Sequence, residues 1–241
     1  RVLFRSGLPE WGVTVLQAEA EMDAGPVWAE ARFPLRRGRK ASVYRHEVTE
    51  AAVIAVKQSV TRFIAGDFAP QRVPGQALPL MKQQDRVIDW SVNSSASILA
   101  RLNAADGFPG VADSLFGEAC HLFDAWPEAT LRGEPGSLIG RRETAILRAT
   151  VDGAVWIGHV KRPGGIKLPA TVAFPEAASL PELPLDAYWK APAATWQDIA
   201  YEEAAGVGFL SFEFYNGAMS AAQCRRLTAA FRWACERPTR V

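Results

Sequence analysis

The chain has 241 residues, of which 49% are hydrophobic and 22% charged; these are globular proportions and exclude a disordered or fibrous protein. Its 27 lysines and arginines against 26 aspartates and glutamates leave a formal charge of +1, too little to draw the whole chain onto a polyanion. No apolar run approaches the about 18 residues of a membrane span, so neither a nucleic acid nor a membrane is expected as a partner.

No secretory leader pattern opens the chain, and Cys120, Cys224 and Cys235 are too scattered for a disulfide framework or a zinc knuckle, so a cytoplasmic setting and no metal site are expected. Residue 1 is not methionine, and Val241 follows Pro-Thr-Arg just where a new element begins. The sequence therefore reads as an internal piece of a longer chain, with Arg1 to Ser6 carrying no native pattern.

In chain order, Gly12-Val-Thr-Val-Leu-Gln17 reads as a short apolar strand, and Val27-Trp-Ala-Glu-Ala-Arg-Phe33 alternates apolar and polar residues as a half-buried strand does. The loop between them, Glu19 to Gly25, holds carboxylates at its tip. From Ser42 the period changes: Val48, Ala52, Val56, Val60 and Phe63 recur at helical spacing, and Gly66 can close the helix. Three prolines and a glycine between Ala69 and Pro79 predict a linker.

A second helix is expected from Ser94 or Ser95 to about Asp106, with Ile98, Leu99 and Leu102 on one side. Beyond it the pattern is β, and Asp152-Gly153 between two β-rich runs predicts a hairpin; with glycines at 133, 136 and 140 the strands suggest a small barrel. A proline-rich stretch from Pro175 to Ala194 reads as a second linker. The last segment predicts a hairpin, an Asn216-Gly217 turn, and a helix opened by a Ser220-x-x-Gln223 capping box and ended by Pro238. Its apolar stripe is Cys224, Leu227, Phe231 and Cys235, which makes both thiols core residues.

By pattern alone Asp23 has two readings. Beside Glu19 and Glu21 it is a carboxylate that its neighbours could tune for proton transfer, or simply part of a solvated hairpin loop. His46 reads as a surface group, and His121 and His159 as structural strand residues. The basic runs Arg36 to Lys40 and Lys161 to Lys167 suit either solvated loops or anion contacts.

Gly12-Val-Thr followed by Met22-Asp-Ala-Gly25 resembles the formyltetrahydrofolate-dependent formyltransferases, where a Gly-Val-Thr strand precedes a hydrophobic-Asp-x-Gly turn. The resemblance implies a catalytic role for Asp23, with Met22, Ala24 and Gly25 as the folate loop, and an Asn and a His lying upstream. Met81 to Trp90, Gly107-Phe-Pro-Gly110 and the Asp152-Gly153 hairpin are similar to the small C-terminal barrel domain of the same enzymes. Gly208 to Leu227 resembles the opening of an enoyl-CoA hydratase/isomerase, or crotonase-type, domain, which implies a coenzyme A contact at Ala218.

The combination resembles a family of hydrogenase maturation factors that fuse these two modules. It implies α/β plus β-barrel architecture: the C-terminal part of a Rossmann-type formyltransferase domain (1–68), a linker (69–80), an OB-like barrel domain (81–175), a linker (176–195) and the start of a crotonase-type domain (196–241). The implied substrates are 10-formyltetrahydrofolate and coenzyme A, the implied product carbon monoxide for a [NiFe]-hydrogenase, and the implied protein partners other maturation proteins or the hydrogenase large subunit. The piece itself is expected to be inactive. The alternatives are a methionyl-tRNA formyltransferase-like enzyme and a non-catalytic folate- or partner-binding module.

Overall fold

The structure, a computed structural model, describes residues 8–21, 23–36, 39–67, 81–184 and 193–240. The linker expected over 69–80, residue Met22 and Arg1 to Ser6 lie outside the described residues. The chain divides into two compact units, one of Arg1–Arg86 with Asn103–Gly110 and one of Val87–Leu102 with Val111–Val241.

In the first unit, β1 (Glu10–Leu16) and β2 (Val27–Pro34) form an antiparallel pair with Val13 opposite Ala31. The helix that follows runs through α1 (Lys40–Val43), a π-helical stretch (Tyr44–Val48) and α2 (Thr49–Ala65). Gly66 ends it in the left-handed conformation (φ 66°), its N–H turned back to the carbonyls of Arg62 and Phe63, the usual glycine C-cap.

The buried face of α2 differs from the expected stripe. Ala51, Ala55 and Ser59 face inward, joining Ala29, Ala31, Phe33 and Val43, while Val56, Val60 and Phe63 are 50%, 51% and 72% exposed. The hairpin accepts the helix where small side chains allow close approach, so size rather than hydrophobicity chose the face. Ser59 loses nothing by burial, since its hydroxyl donates to Ala55 O at 2.9 Å.

The second unit contains α3 (Ser95–Ala105) as far as Leu102 and an antiparallel sheet of β3 (Val111–Leu115), β4 (Glu118–Glu128), β5 (Leu138–Arg142), β6 (Ala145–Ala149), β7 (Ala154–Lys161) and β8 (Lys167–Pro169). Ile98 and Leu102 of α3 are buried as the periodicity predicts. The strand order is β3-β4-β7-β6-β5, and β8 pairs with the far end of β7. The Asp152-Gly153 hairpin joins β6 to β7, with the Thr150 N–H donating to Gly153 O at 2.9 Å. The Asp152 carboxylate accepts the backbone N–H of Ser95 at 2.7 Å, placing negative charge at the N-terminus of α3.

The expected small barrel does not close among the described residues. No ladder joins β3 to β5; instead the free edge of β5 is taken by residues 181–183, Arg141 N–H donating to Pro181 O and Leu183 N–H to Arg141 O at 2.9 and 2.8 Å. These residues fall in the stretch read from sequence as a linker. Farther along, Ala194 O accepts the Ala129 N–H at 2.9 Å, and Trp196 is buried against Ala145, Leu147, Ala154 and Trp156. After a short α4 (Ala170–Ala173), the returning chain is thus bonded to the sheet at two places.

The same unit ends in β9 (Ile199–Ala204), β10 (Val207–Phe212) and α5 (Ala221–Cys235). The two-residue loop Ala205-Gly206 has positive φ at both positions, 50° and 75°, the turn whose twist suits a hairpin. The Ser220–Gln223 capping box is present in full. The packed stripe of α5 is Leu227, Ala230 and Ala234, and Cys224 and Cys235 are exposed. Their assignment to the core is therefore corrected. Arg226 sets the rotation of α5 through a bidentate pair with buried Asp198, at 2.9 and 2.8 Å, which turns both cysteines outward.

Candidate functional site

The loop carrying Asp23 is closed at its base by the Gln17 N–H donating to Pro26 O at 2.9 Å and by Trp28 Nε1 donating to Gln17 Oε1 at 2.8 Å. Gly25 sits against the Gln17 carbonyl so closely that a Cβ would overlap its oxygen. Gly25→Ala must therefore pry the loop base open; a loss of about 1–3 kcal/mol is expected, seen as faster hydrogen exchange at the Gln17 amide.

Asp23 itself is exposed and left-handed (φ 61°), a conformation that aspartate tolerates better than most residues. Among the described residues its side chain has no hydrogen-bond or ion-pair partner. Ala24 and Gly25 are half-buried beside it, and Met22 lies outside the described residues. The structure thus presents a carboxylate at the tip of a loop whose base is fixed. Such a group can orient or charge-balance a second polar residue brought against it, but it cannot move a proton and stabilise an oxyanion unaided.

The histidines occupy other elements: His46 the π-helical stretch, His121 β4 and His159 β7. Each basic run is engaged in part. Arg36 pairs with Glu47 and donates to Ser42 Oγ at 2.7 Å, Arg162 pairs with Glu118, and Lys167 donates to the Tyr215 hydroxyl at 2.8 Å; Arg37 and Gly38 lie outside the described residues. Cys120 is buried, and burial pushes its thiol pKa up to about 12, which removes it as a nucleophile. Among the described residues no three His, Cys, Asp or Glu side chains gather to hold a metal ion, and no helix is long and apolar enough to cross a membrane.

Ala218 follows a single 3-10 turn, Tyr215–Gly217, and is extended (φ −79°, ψ 131°) and exposed before the Ser220 cap. Next to it lies a feature that the sequence reading missed, an open groove of about 730 Å3 between β10 and α5, lined by Phe209, Phe212, Met219, Cys224 and Leu227 among others. Its signal was available in the apolar residues spaced along both elements, but those of α5 were read as a buried stripe.

Residues 80–176 match the family model described as the formyl transferase C-terminal domain. The chain is 49% identical to the hydrogenase maturation factor HoxX of Bradyrhizobium diazoefficiens over 247 aligned positions, 98% of this chain and 42% of that protein. It is similar along 99% of its length to HypX from Aquifex aeolicus, solved in complex with tetrahydrofolic acid, with 39% identity, a TM-score of 0.89 and 43% of that chain covered. A methionyl-tRNA formyltransferase of Dechloromonas aromatica is 27% identical over 165 positions, 68% of this chain and 53% of that enzyme. The chain spans less than half the length of the HoxX and HypX proteins it matches.

Proposed function

Because this chain belongs with the HypX/HoxX proteins over the segment it shares with them, we propose that it is part of a one-carbon-transfer enzyme that takes the formyl group of 10-formyltetrahydrofolate in hydrogenase maturation. The observation that carries this reading is the similarity, over 99% of the chain, to a HypX solved with tetrahydrofolic acid, together with a loop built to present Asp23.

In this reading the folate binds against the 22–25 loop, and coenzyme A is the acceptor. The thiolate sulfur attacks the formyl carbon, the bond from that carbon to the folate nitrogen breaks, and the nitrogen takes up a proton as tetrahydrofolate leaves. Asp23 holds the imidazole that manages that proton, as the third member of a triad does, and neighbouring donors stabilise the tetrahedral oxyanion. The imidazole and an asparagine come from residues upstream of Gly12.

The resulting formyl-CoA is split in a crotonase-type module, of which residues 196–241 are the opening, into carbon monoxide and free coenzyme A; Ala218 contacts the coenzyme. The carbon monoxide becomes a ligand of the iron in a [NiFe]-hydrogenase, so maturation proteins or the large subunit are the natural partners, and the cytoplasm is the natural setting. Residues 81–175 are the OB-like domain of the first module, flanked by connections at 69–80 and 176–195.

A second reading, formylation of methionyl-tRNA, is favoured by the likeness to the Dechloromonas enzyme. One competition experiment decides between them. The intact gene product, given formyl-labelled 10-formyltetrahydrofolate with equal coenzyme A and charged initiator tRNA, is expected to release label as carbon monoxide and leave the tRNA unformylated. Label on the tRNA alone would establish the second reading instead.

A further inference from the structure

Asp124 lies in β4, yet its backbone is left-handed (φ 56°) and its side chain is 5% exposed. A non-glycine residue keeps such a conformation inside a strand only when its surroundings enforce it. Here they do. Its Oδ1 accepts the Trp126 indole N–H at 2.9 Å, and its Oδ2 accepts the His159 Nδ1–H at 2.8 Å. The carboxylate occupies space that exists only because residue 158 is glycine, since a Cβ there would overlap Oδ2.

His159 is thereby fixed in tautomer and ring plane. Its ring stacks on Tyr215, with centroids 4.3 Å apart and planes 27° apart. Lys167 of β8 then holds the far end of the same phenol, donating to its hydroxyl at 2.8 Å, while its ammonium sits 3.9 Å from the centre of the Phe123 ring. Tyr215 opens the turn that leads straight to Ala218 and to the Ser220 cap of α5. A second tie runs in parallel, Arg226 of α5 reaching Glu143 of the β5–β6 turn at 3.8 Å.

We propose that the Asp124–His159 pair is a positioning device: through the stacked Tyr215 ring, the sheet of the formyltransferase C-terminal domain sets the place of the turn that carries the coenzyme A contact. The role assigned to these residues is to position that turn, not to take part in the chemistry. The link to coenzyme A rests on the reading of Ala218 given above, whereas the seam between His159 and Tyr215 stands without it. A carboxylate, an imidazole and a phenol in this order give a rigid support, because the Asp124 oxygens, His159 Nδ1 and the Tyr215 hydroxyl are each already bonded and the two rings are stacked.

The test uses this chain with His159→Ala and, from the other side of the seam, Tyr215→Leu, which leaves every sheet residue in place. Hydrogen exchange at the amides of 216–220 is expected to accelerate at least about tenfold in both variants, while the β4–β7 ladder keeps its protection. Proton NMR of the unaltered chain is expected to show a slowly exchanging His159 Nδ1–H signal that Asp124→Asn removes. Unchanged exchange at 216–220 in both variants would overturn the proposal. Coenzyme A titration of the intact gene product carrying the same substitutions separates the two layers: several-fold weaker binding by both variants supports the positioning role, since apparent affinity falls with the fraction of turns held competent. Faster exchange at 216–220 with coenzyme A bound by the intact variants as tightly as by the unaltered protein would overturn the link to the coenzyme and leave the seam.

Discussion

Replacing Glu128 by alanine is expected to cost the second unit about 3–5 kcal/mol, the range for breaking one side of a buried charged network. Glu128 ends β4 and is 7% exposed. Its Oε1 accepts the Thr130 N–H and hydroxyl, each at 2.9 Å, and its Oε2 accepts Trp156 Nε1 at 2.8 Å and the Thr195 hydroxyl at 2.6 Å. Across Thr195 stands Arg142, buried over the Trp156 ring and donating to Leu183 O at 2.7 Å and Trp196 O at 3.2 Å. Alanine would remove the larger of the two carboxylate charges that act on the Arg142 guanidinium, Glu128 and Glu182, leave several donors orphaned, and loosen the 194–196 segment from the sheet. Urea titration followed by tryptophan fluorescence measures the loss; Glu128→Gln, which keeps the shape but not the full acceptor set, is expected to fall between.

The same network carries a pH dependence of definite sign. Burial alone would raise the Glu128 pKa, but the hydrogen bonds from Thr195, Thr130 and Trp156 outweigh it and hold the carboxyl below its ordinary value. A depressed folded-state pKa means that the ionised group stabilises the fold above the unfolded value of about 4.3 and that this contribution disappears as pH falls through the folded value. The wild-type denaturation midpoint should therefore drop in that acid range, and Glu128→Ala should show less of the drop.

The local chemistry of the fold was legible in the sequence. Asp152-Gly153 specified a hairpin, Ser220 and Gln223 a capping box, and alternation in Val27 to Phe33 a strand with one buried face, because each depends on residues a few positions apart. What needed distant partners was not legible. The faces of α2 and α5 were misread because large apolar residues suggest a buried stripe, whereas packing chose Ala51, Ala55 and Ser59 in one helix and the Arg226–Asp198 pair turned the other. The open sheet arises from Pro181 and Leu183 meeting Arg141 about forty positions upstream, which no local signal announces. At the candidate site, Asp23 was singled out by resemblance, but its left-handed backbone and the overlap that forbids a side chain at Gly25 emerge only from the folded loop. His159 looked like an ordinary strand histidine because Asp124 and Tyr215, which give it a task, lie 35 and 56 positions away.

The role of Asp23 is most cleanly probed with asparagine, which shares aspartate's size and its tolerance of the left-handed conformation but lacks the charge; alanine would confound lost chemistry with backbone strain at φ 61°. An orienting carboxylate in acyl transfer is worth about 10²–10⁴-fold in rate. The decisive measurement is therefore single-turnover formyl transfer from 10-formyltetrahydrofolate by the intact gene product, wild type against Asp23→Asn, with tetrahydrofolate binding followed in parallel. A fall in rate of about 10²–10⁴-fold with folate still bound is expected. Undiminished transfer by Asp23→Asn would contradict an orienting role for this carboxylate.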